Sequence, residues 1–473
     1  MMFRTRTSLL GSDPTERYRQ RILPIEGADG STLSLDFASE TIDSRLTFTR
    51  ASGEATYVDR TGRVAFASTN MPRFDYDPIN LSDPSLNIFP FRGLMLEGQV
   101  VNFMKRSQAF TNAYWNDTGN NTLAVDAVAA AGSPADDTTA SSLTEVFGVT
   151  VPRFVTQATG EFIPAASTSY TMSIWVKQPT SGNIGRYVQL AFWTTGFSAT
   201  AYVNFDLELA ITTAVGSGTT GRVTRYKNGW YRISATAISL ASPASSGFQL
   251  GFVESGTAGR AAAYSVAETT EKTIYIWGPQ MELGTLPTSL IVTRTSQVTR
   301  MADSLVSTGN GLANWFLNSY GSGTFLFRGT IINAANSSTT RIFALTQSAS
   351  IATAVGTVPA ISVGITGSVG NAAVRNRPNL NAFVAANNDV DIYLAGFTHP
   401  SEFVLAAQYS AGDYRIKRVS SATSSFASVG TTWGTNMFFS AVNGASFPVI
   451  WYKQFKFFPS RLSNEQLEVL TTL

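Results

Sequence analysis

The chain is poor in side chains that carry covalent chemistry. Its 473 residues include no cysteine and one histidine. The absence of cysteine excludes disulfide bonds and thiolate metal sites, so hydrophobic cores must hold the chain together, with or without oligomerisation. A single histidine, His399, excludes a histidine cluster for zinc and leaves one possible centre for a Ser-His-Asp triad, with no G-x-S-x-G motif beside it. Because His399 directly precedes Pro400, we interpret it as a loop residue rather than a general base.

Charge is also scarce, and the two signs are balanced. Charged residues make up 14% of the chain and the formal net charge is +2. This balance gives no field that would attract nucleic acid or an anionic membrane. Residues 1–21 contain no apolar run followed by a small-residue cleavage site, and no apolar run elsewhere is long enough to span a bilayer. We expect no nucleic-acid partner, no membrane insertion, no export by a signal peptide, and assembly in a bacterial cytoplasm.

Alternation with a period of two residues dominates the middle of the chain. From 203 to 209 every second residue is apolar and is predicted to face inward, Leu209 included. The range 172–176 repeats this pattern, and Asn228-Gly229 between two further runs is a strong signal for a β-hairpin. No helical period lies between these segments. The pattern therefore predicts an antiparallel sandwich or jelly roll.

The length of the chain exceeds what one hydrophobic core serves, and we predict three parts. Residues 1–100 form a small, irregular N-terminal region of proline-interrupted hairpins, in which a short charged helix begins near Asp13. Residues 101–300 and 301–473 form two tandem antiparallel β-sandwich domains. The predicted fold class is all-β.

The boundary between the second and third parts lies in the stretch Ile274–Asp303. It begins as a strand that is predicted to end at Gly278-Pro279, and it continues as an extended connector rich in Thr and Ser. The chain closes with a long strand at 449–458 and a capping box, Ser463 and Gln466, that opens a helical turn. Between these landmarks we predict six further strands, at 324–330, 340–346, 360–365, 390–396, 403–409 and 414–419.

Several blocks of sequence resemble known families. IYIWGPQMELGTLPTSLI at 274–291 and VTRMAD at 298–303, together with LTFTRASGEATYVDRTGRVAFASTNMPRFDYD at 46–77, GLMLEG at 93–98 and NFMKRSQAFTNAYW at 102–115, resemble the carbohydrate-binding-module-like jelly rolls of tailed-bacteriophage virion proteins and the block that precedes them. RLSNEQL at 461–467, with FVLAAQY at 403–409, resembles the close of laminin-G-like, concanavalin A-like lectin domains.

The resemblance implies a structural virion protein, placed as a fibre, head spike or tail component, that adheres to bacterial surface polysaccharide without breaking a bond. It also implies a homo-oligomer, with a trimer as the first expectation, whose residues 1–100 attach to other virion proteins. Two alternatives stay open. One is a capsid or tail decoration or cement protein that binds no glycan, and the other is a polysaccharide depolymerase.

Aromatic residues make up 12% of the chain and are the candidates for sugar contact, because a flat ring can pack against the apolar face of a pyranose. Trp175, Trp230 and Trp277 fall in predicted strands, and we assign them to core packing. Five others fall in predicted loops and are the candidate glycan-binding platforms: Trp193, Phe197, Trp315, Tyr320 and Trp433.

Carboxylates two residues apart are the candidates for a metal site or for acid–base chemistry. Asp389 and Asp391 would lie on one face of a strand, where they could hold Ca²⁺ or flank a glycosidic bond. Asp75 and Asp77 form a second pair of this kind. The stretches Asp75-Tyr76-Asp77-Pro78 and Asn387-Asn388-Asp389 are also ordinary turn sequences, and we favour that interpretation. No cofactor is expected beyond such a Ca²⁺ ion.

Overall fold

The computed structural model describes residues 29–51, 54–78, 89–116, 123–127, 132–157, 160–308, 315–316, 322–332, 339–346, 360–366, 377–383, 389–393, 401–410, 413–418, 424–426, 436–442 and 449–471. Within these ranges the fold is all-β, as predicted, and the strands pair antiparallel in its sheets. The helix expected near Asp13 lies outside the described residues. Among the described residues, no helix has the length and apolar character needed to cross a bilayer.

The strands of the first hundred residues are β1 (Leu33–Asp36), β2 (Thr47–Thr49), β3 (Ala55–Val58), β4 (Val64–Ala67), β5 (Arg73–Tyr76), β6 (Phe91–Glu97) and β7 (Val100–Asn102). The next set is β8 (Trp115–Asn116), β9 (Leu123–Ala127), β10 (Ser141–Glu145), β11 (Gly148–Val151), β12 (Arg153–Gln157), β13 (Ser169–Lys177), β14 (Tyr187–Phe192), β15 (Tyr202–Asp206), β16 (Ile211–Val215), β17 (Thr219–Arg225), β18 (Trp230–Ile238), β19 (Phe248–Phe252), β20 (Tyr264–Val266) and β21 (Thr273–Leu283).

The remaining strands are β22 (Val298–Arg300), β23 (Ser304–Thr308), β24 (Ser322–Ile332), β25 (Thr339–Thr346), β26 (Ala360–Thr366), β27 (Arg377–Phe383), β28 (Asp389–Tyr393), β29 (Ser401–Ser410), β30 (Asp413–Arg418), β31 (Ser424–Phe426), β32 (Asn436–Val442) and β33 (Val449–Phe458), and one helix follows, α1 (Asn464–Thr471). All six strands predicted for the third part are present, at β24, β25, β26, β28, β29 and β30.

Strands β8–β21 form a unit that we call the middle sandwich. One sheet has the order β17-β18-β13-β21-β10-β9 and the other β16-β15-β14-β19-β12-β8. Alternate side chains of both sheets, such as Ile174 and Leu190, meet in one core and are fully buried. The predicted hairpin joins β17 to β18, with Asn228 in the left-handed conformation at φ 59°. The alternation read from the sequence is therefore confirmed here.

Two local predictions for the middle sandwich are wrong. Strand β15 ends at Asp206 rather than continuing inward to Leu209, whose side chain is 53% exposed. The Asp206 carboxylate accepts hydrogen bonds from the backbone N–H groups of Glu208 and Leu209, and this local turn reverses the chain into β16.

The second wrong prediction concerns the end of a strand at Gly278-Pro279. Strand β21 continues to Leu283 through a β-bulge: Trp277 lies opposite Trp175 and Gln280 opposite Ser173, so Gly278 and Pro279 together face one residue of β13. Gly278 occupies φ 64°, a left-handed conformation that glycine adopts without strain. The bulge lets the strand accommodate a proline without breaking the sheet.

A second sandwich, which we call the shared sandwich, combines the two ends of the chain. Its first sheet has the order β31-β30-β29-β24-β33-β6-β5, with β1 also paired to β33, and its second has the order β2-β23-β32-β25-β26-β27-β28. Leu33 and Phe37 from the start of the described chain lie in the same core as Phe343 and Phe455. The division of the chain at residues 100 and 300 stays a prediction, but the structure adds that its first and third parts share both sheets.

Two short strands connect the sandwiches. Strand β7 leads into the middle sandwich and β22 leads out of it, and the two pair antiparallel, with Val100 opposite Arg300 and Asn102 opposite Val298. We call this pair the neck. The middle sandwich is thus an insertion between β6 and β23 of the shared sandwich.

The predicted end of the chain is confirmed. Ser463 Oγ accepts a hydrogen bond from Gln466 N at 3.2 Å, and Gln466 Oε1 accepts one from Ser463 N at 2.8 Å, which is the reciprocal pattern of a capping box. Helix α1 then buries Leu467 against Leu326 and Val404 on the outer face of the shared sandwich.

A candidate binding cleft between the two sandwiches

Five buried charged residues meet at the neck, and we call them the charge cluster: Arg50, Arg73, Glu97, Arg300 and Asp303. Their side chains are at most 1% exposed. Glu97 Oε2 lies 2.5 Å from Arg73 Nη1 and 2.9 Å from Arg300 Nη1, and Asp303 pairs with both Arg50, at 3.1 Å, and Arg73. These ion pairs link β5, β6 and β22 to Arg50, which follows β2, and to Asp303, which follows β22.

Backbone carbonyl groups balance the excess positive charge of the cluster. Arg50 donates to the carbonyl oxygens of Ala67 and Ser68, Arg73 to that of Thr56, and Arg300 to that of Gly98. Burying charges is costly unless they are paired and hydrogen-bonded. Each guanidinium here is paired with a carboxylate and hydrogen-bonded through its Nη atoms, while each Nε is buried without a hydrogen-bond partner among the described residues.

The charge cluster explains much of the sequence pattern that carries the resemblance. Arg50, Arg73 and Glu97 belong to the blocks at 46–77 and 93–98, while Arg300 and Asp303 belong to VTRMAD. Sequence reasoning missed this role because nothing in a single sequence indicates that charges more than 200 residues apart are partners. The one available signal was the presence of charged residues in otherwise apolar strand segments.

A cleft opens beside the charge cluster, where the middle sandwich faces the shared sandwich. Its cavity measures about 160 Å³. Strands β3, β4, β5 and β6 contribute one part of the wall, β13, β17 and β18 another, and β24, β33 and the connector at 286–290 a third. All three predicted parts of the chain therefore contribute side chains to one cavity.

Of the two carboxyl groups in the wall, Asp75 and Glu97, Asp75 has the higher pKa. Its Oδ1 accepts a hydrogen bond from Val58 N at 2.7 Å and its Oδ2 one from Trp451 Nε1 at 2.7 Å. Burial raises the pKa of Asp75 to about 6, because removal of the carboxylate from water outweighs these hydrogen bonds and the nearby Arg92. Asp75 is thus partly protonated near pH 6.

Arg92 and Trp451 form the wall next to Asp75. The Arg92 guanidinium lies 5.2 Å from the centre of the Trp451 ring, which is within cation–π range. Arg92 also pairs with Asp77 at 3.1 Å and lies 4.0 Å from Asp75. Its side chain remains 28% exposed, so part of the guanidinium faces solvent.

The opposite wall comes from the middle sandwich. Arg232 lies 4.3 Å from the centre of the Trp175 ring and donates to Thr288 O at 2.7 Å and Ser173 Oγ at 2.9 Å. The Tyr226 ring meets Trp175 edge to face at 5.5 Å. Trp175 Nε1 and Arg232 Nε are buried and have no hydrogen-bond partner among the described residues.

The five predicted aromatic platforms have different outcomes in the structure. The expectation of exposed rings is wrong for Phe197 and Trp315, which are fully buried in the two sandwich cores. Trp193 is half-buried, donates from Nε1 to Thr156 Oγ1 at 3.1 Å, and packs beside Gly247. Tyr320 and Trp433 lie outside the described residues, so their exposure stays a prediction, as does glycan contact by Trp193.

The three tryptophans assigned to core packing are buried, at 0–1% exposure, and this prediction is confirmed. They pack together in a small cluster next to the cleft rather than in the core of the middle sandwich. Trp175 therefore belongs both to this cluster and to the cavity wall.

The predicted carboxylate pairs have different outcomes. Asp75 and Asp77 are both held by protein partners, through Trp451 and Arg92 respectively. Asp389 and Asp391 lie in β28 with one residue between them, as expected for one face of a strand, but their side chains lie outside the description and calcium binding stays a prediction. In the part of the chain that the structure describes, no three His, Cys, Asp or Glu residues group closely enough to hold a metal ion.

Comparison with known proteins gives little. No family model matches the chain, and no curated protein matches it. Among solved structures it is similar to the binding domain of botulinum neurotoxin DC in complex with SialylT, at 14% identity and TM-score 0.29, and to the botulinum neurotoxin serotype C1 binding domain, at 14% identity and TM-score 0.28. These matches cover 36% of this chain and 39–40% of the others. Similarities this low establish neither a shared fold nor a shared function.

Proposed function

We propose that this chain is a non-enzymatic adhesion protein of a tailed-phage particle and that it binds bacterial surface polysaccharide in the cleft. The observation that carries the proposal is the cavity of about 160 Å³, whose walls combine aromatic rings with guanidinium groups. A water molecule needs roughly 10–15 Å³ of such space, so the cavity has room for on the order of ten waters. A ligand group about as large as one sugar ring would fill it.

The chemistry of the walls suits a sugar. Tyr57 and Tyr226 are half-buried and Trp451 lies beside them in the wall, and such rings offer apolar surface together with a polar edge. Thr224 and Ser234 add hydroxyl groups that can both donate and accept hydrogen bonds. A mostly apolar cavity with a few convergent polar groups is the usual form of a small-ligand site.

Placement on a phage particle rests on the sequence resemblance. The blocks that carry it also supply the residues of the charge cluster and much of the cleft wall, so the resemblance and the cavity concern the same part of the molecule. Attachment through residues 1–100 and assembly as a trimer belong to the same proposal. Electron microscopy of intact particles labelled with an antibody to this chain tests the placement, and an unlabelled particle would contradict it.

Glycan binding is tested with the full chain on an array of bacterial capsular and O-antigen polysaccharides. We expect a subset to bind, and Arg222→Ala, which removes a guanidinium from the cleft wall, to weaken binding about tenfold or more. Arg225→Ala is the matched control: Arg225 lies on the same strand and is also an exposed residue, but it points to the opposite face, so the variant should bind within about twofold of wild type.

The two alternatives give different results in the same samples. A depolymerase would release new reducing ends from the bound polysaccharide, whereas adhesion leaves their number unchanged. A cement protein would bind capsid or tail proteins and none of the polysaccharides. Either outcome, or equal losses in the Arg222 and Arg225 variants, would overturn the proposal.

A further inference from the structure

The cleft wall contains more positively charged than negatively charged side chains, and these side chains differ in whether protein partners already neutralise them. Three arginines, Arg92, Arg222 and Arg232, line the cavity against two carboxylates, Asp75 and Glu97. Whether the cleft attracts an anion depends on which of these five groups are already neutralised by protein partners.

Both carboxylates are occupied by the protein. Glu97 Oε2 pairs with Arg73 and Arg300, which do not line the cavity, and its Oε1 accepts from Ser289 N at 2.9 Å. The two oxygens of Asp75 are bonded to Val58 N and Trp451 Nε1. Neither group therefore offers a free carboxylate oxygen to a cation or to a positively charged sugar.

Two of the three arginines lack an acidic partner. Arg92 pairs with Asp77, but Arg222 and Arg232 form no ion pair with any residue that the structure describes. Arg232 bonds only to neutral groups, Thr288 O, Ser173 Oγ and the Tyr226 hydroxyl. Arg222 is exposed on β17, opposite Ser234, so it stands at the open side of the cavity.

Building on the proposed function, we infer that the cleft selects a sugar unit that carries an anionic substituent, and that Arg222 pairs with this substituent at the open side of the cavity. Arg232 lies deeper and adds a second positive charge, which also interacts with the buried Glu282 carboxylate, in a wall where the low dielectric strengthens its attraction for an anion. A guanidinium can bind either a carboxylate or a phosphate group with two parallel hydrogen bonds. The shared chemistry is thus an acidic sugar, whether a uronic acid or a sugar phosphate.

The experiment starts from the polysaccharides that the full chain binds on the array. Each is divided into three samples: one untreated, one in which the uronic acids are reduced chemically to neutral hexoses, and one dephosphorylated. Reduction of carboxyl groups identifies the carboxylate source and dephosphorylation identifies the phosphate source. Affinities are measured for wild type and for the Arg222→Ala, Arg222→Lys and Arg225→Ala variants, at two salt concentrations.

We expect one of the two treatments to lower affinity about tenfold or more, to the level of Arg222→Ala with untreated polysaccharide. Arg222→Lys keeps the charge but loses the paired hydrogen bonds, so it should retain part of the affinity, and higher salt should weaken wild-type binding more than that of Arg222→Ala. Arg225→Ala should behave like wild type in every sample.

Binding that survives both treatments unchanged would overturn this inference and leave the proposed function standing. Binding that falls equally in Arg222→Ala and Arg225→Ala would overturn both this inference and the proposed binding in the cleft, because a general loss of surface charge would then explain the effect. Failure of the chain to bind any polysaccharide would refute the proposed function itself. Because Arg222 is exposed and unpaired among the described residues, loss of folding does not confuse these outcomes.

Discussion

The pKa values of two buried carboxyl groups beside the neck shift in opposite directions. Arg300 and Arg73 hold the pKa of Glu97 at about 2, because their attraction for the carboxylate exceeds the cost of its burial. Asp75, which has one partly exposed guanidinium 4.0 Å away, has its pKa raised instead. Glu97 therefore contributes stability at every pH above its ordinary pKa and loses it only as the pH falls towards 2.

Asp75 gives the first prediction, a loss of stability with rising pH. Its pKa is about 6 in the folded protein and 3.8 ordinarily, so between these values the folded state binds more protons than the unfolded state. The free energy of unfolding should fall as the pH rises from about 4 to about 6, by a total on the order of 3 kcal/mol, and then level off.

The measurement is urea unfolding between pH 4 and pH 8 for wild type and Asp75→Asn. The asparagine has no proton to lose, so this component of the pH dependence should be absent from the variant. Parallel curves for the two proteins would show that Asp75 titrates near its ordinary pKa and would contradict the burial argument.

At the scale of elements, one strand of the shared sandwich, β33, pairs with two strands from the first hundred residues, β1 and β6. Strand β33 pairs with β6 through Val449–Tyr452 and with β1 through Gln454–Phe457, so the two lie one after the other along it. Close approach of β6 and β33 requires a glycine: Gly93 has φ 135°, and a Cβ there would lie 2.5 Å from Tyr452 O. This contact is with backbone, which cannot move aside as a flexible side chain can.

The second prediction follows from Gly93. Gly93→Ala should destabilise the protein by roughly 2–4 kcal/mol, since it combines a strained φ with a steric clash against β33. Gly259→Ala is the control, because a Cβ there meets no atom within 4 Å, and it should change stability by less than about 0.5 kcal/mol. Both are measured by chemical denaturation, and similar values for the two would show that β6 does not approach β33 this closely.

At the scale of the whole molecule, the first and third parts of the chain complete one another. The shared sandwich takes β1, β2, β5 and β6 from the first hundred residues, while the core of the middle sandwich comes from residues 104–281. A fragment that begins at residue 301 would expose the edge of β33 and lose Leu33, Leu35 and Phe37 from its core. The unit that folds together is therefore not a contiguous stretch of sequence.

The third prediction concerns fragments. Residues 101–300 alone should unfold cooperatively, whereas residues 301–473 alone should not, because burial of the Leu33, Leu35 and Phe37 side chains, worth roughly 1.5–3 kcal/mol each for large apolar residues, is missing. Thermal melts followed by near-ultraviolet circular dichroism measure this. Adding residues 1–100 in trans should restore a cooperative melt to 301–473. A cooperative melt of 301–473 without that addition would contradict the shared sandwich.

The local features of this protein were available from the sequence because they depend on neighbours in the chain. Alternation of apolar residues gave the strands, Asn228-Gly229 the hairpin, and Ser463 with Gln466 the start of α1. The errors at Leu209 and Gly278-Pro279 are also local: an aspartate turn ended one strand early, and a glycine bulge carried another past a proline.

Tertiary structure alone decided what those strands build together. The pairing of Leu33 with Phe457 and the ion pair between Arg73 and Asp303 join residues that the chain holds far apart, and alternation reports only that a side chain is buried, not what lies opposite it. The cleft is a consequence of that pairing, since it exists only where the two sandwiches face each other across the neck. The sequence by itself determined the strands, the hairpin and the start of α1. Long-range packing determined where the charged groups and aromatic rings come together in the cleft.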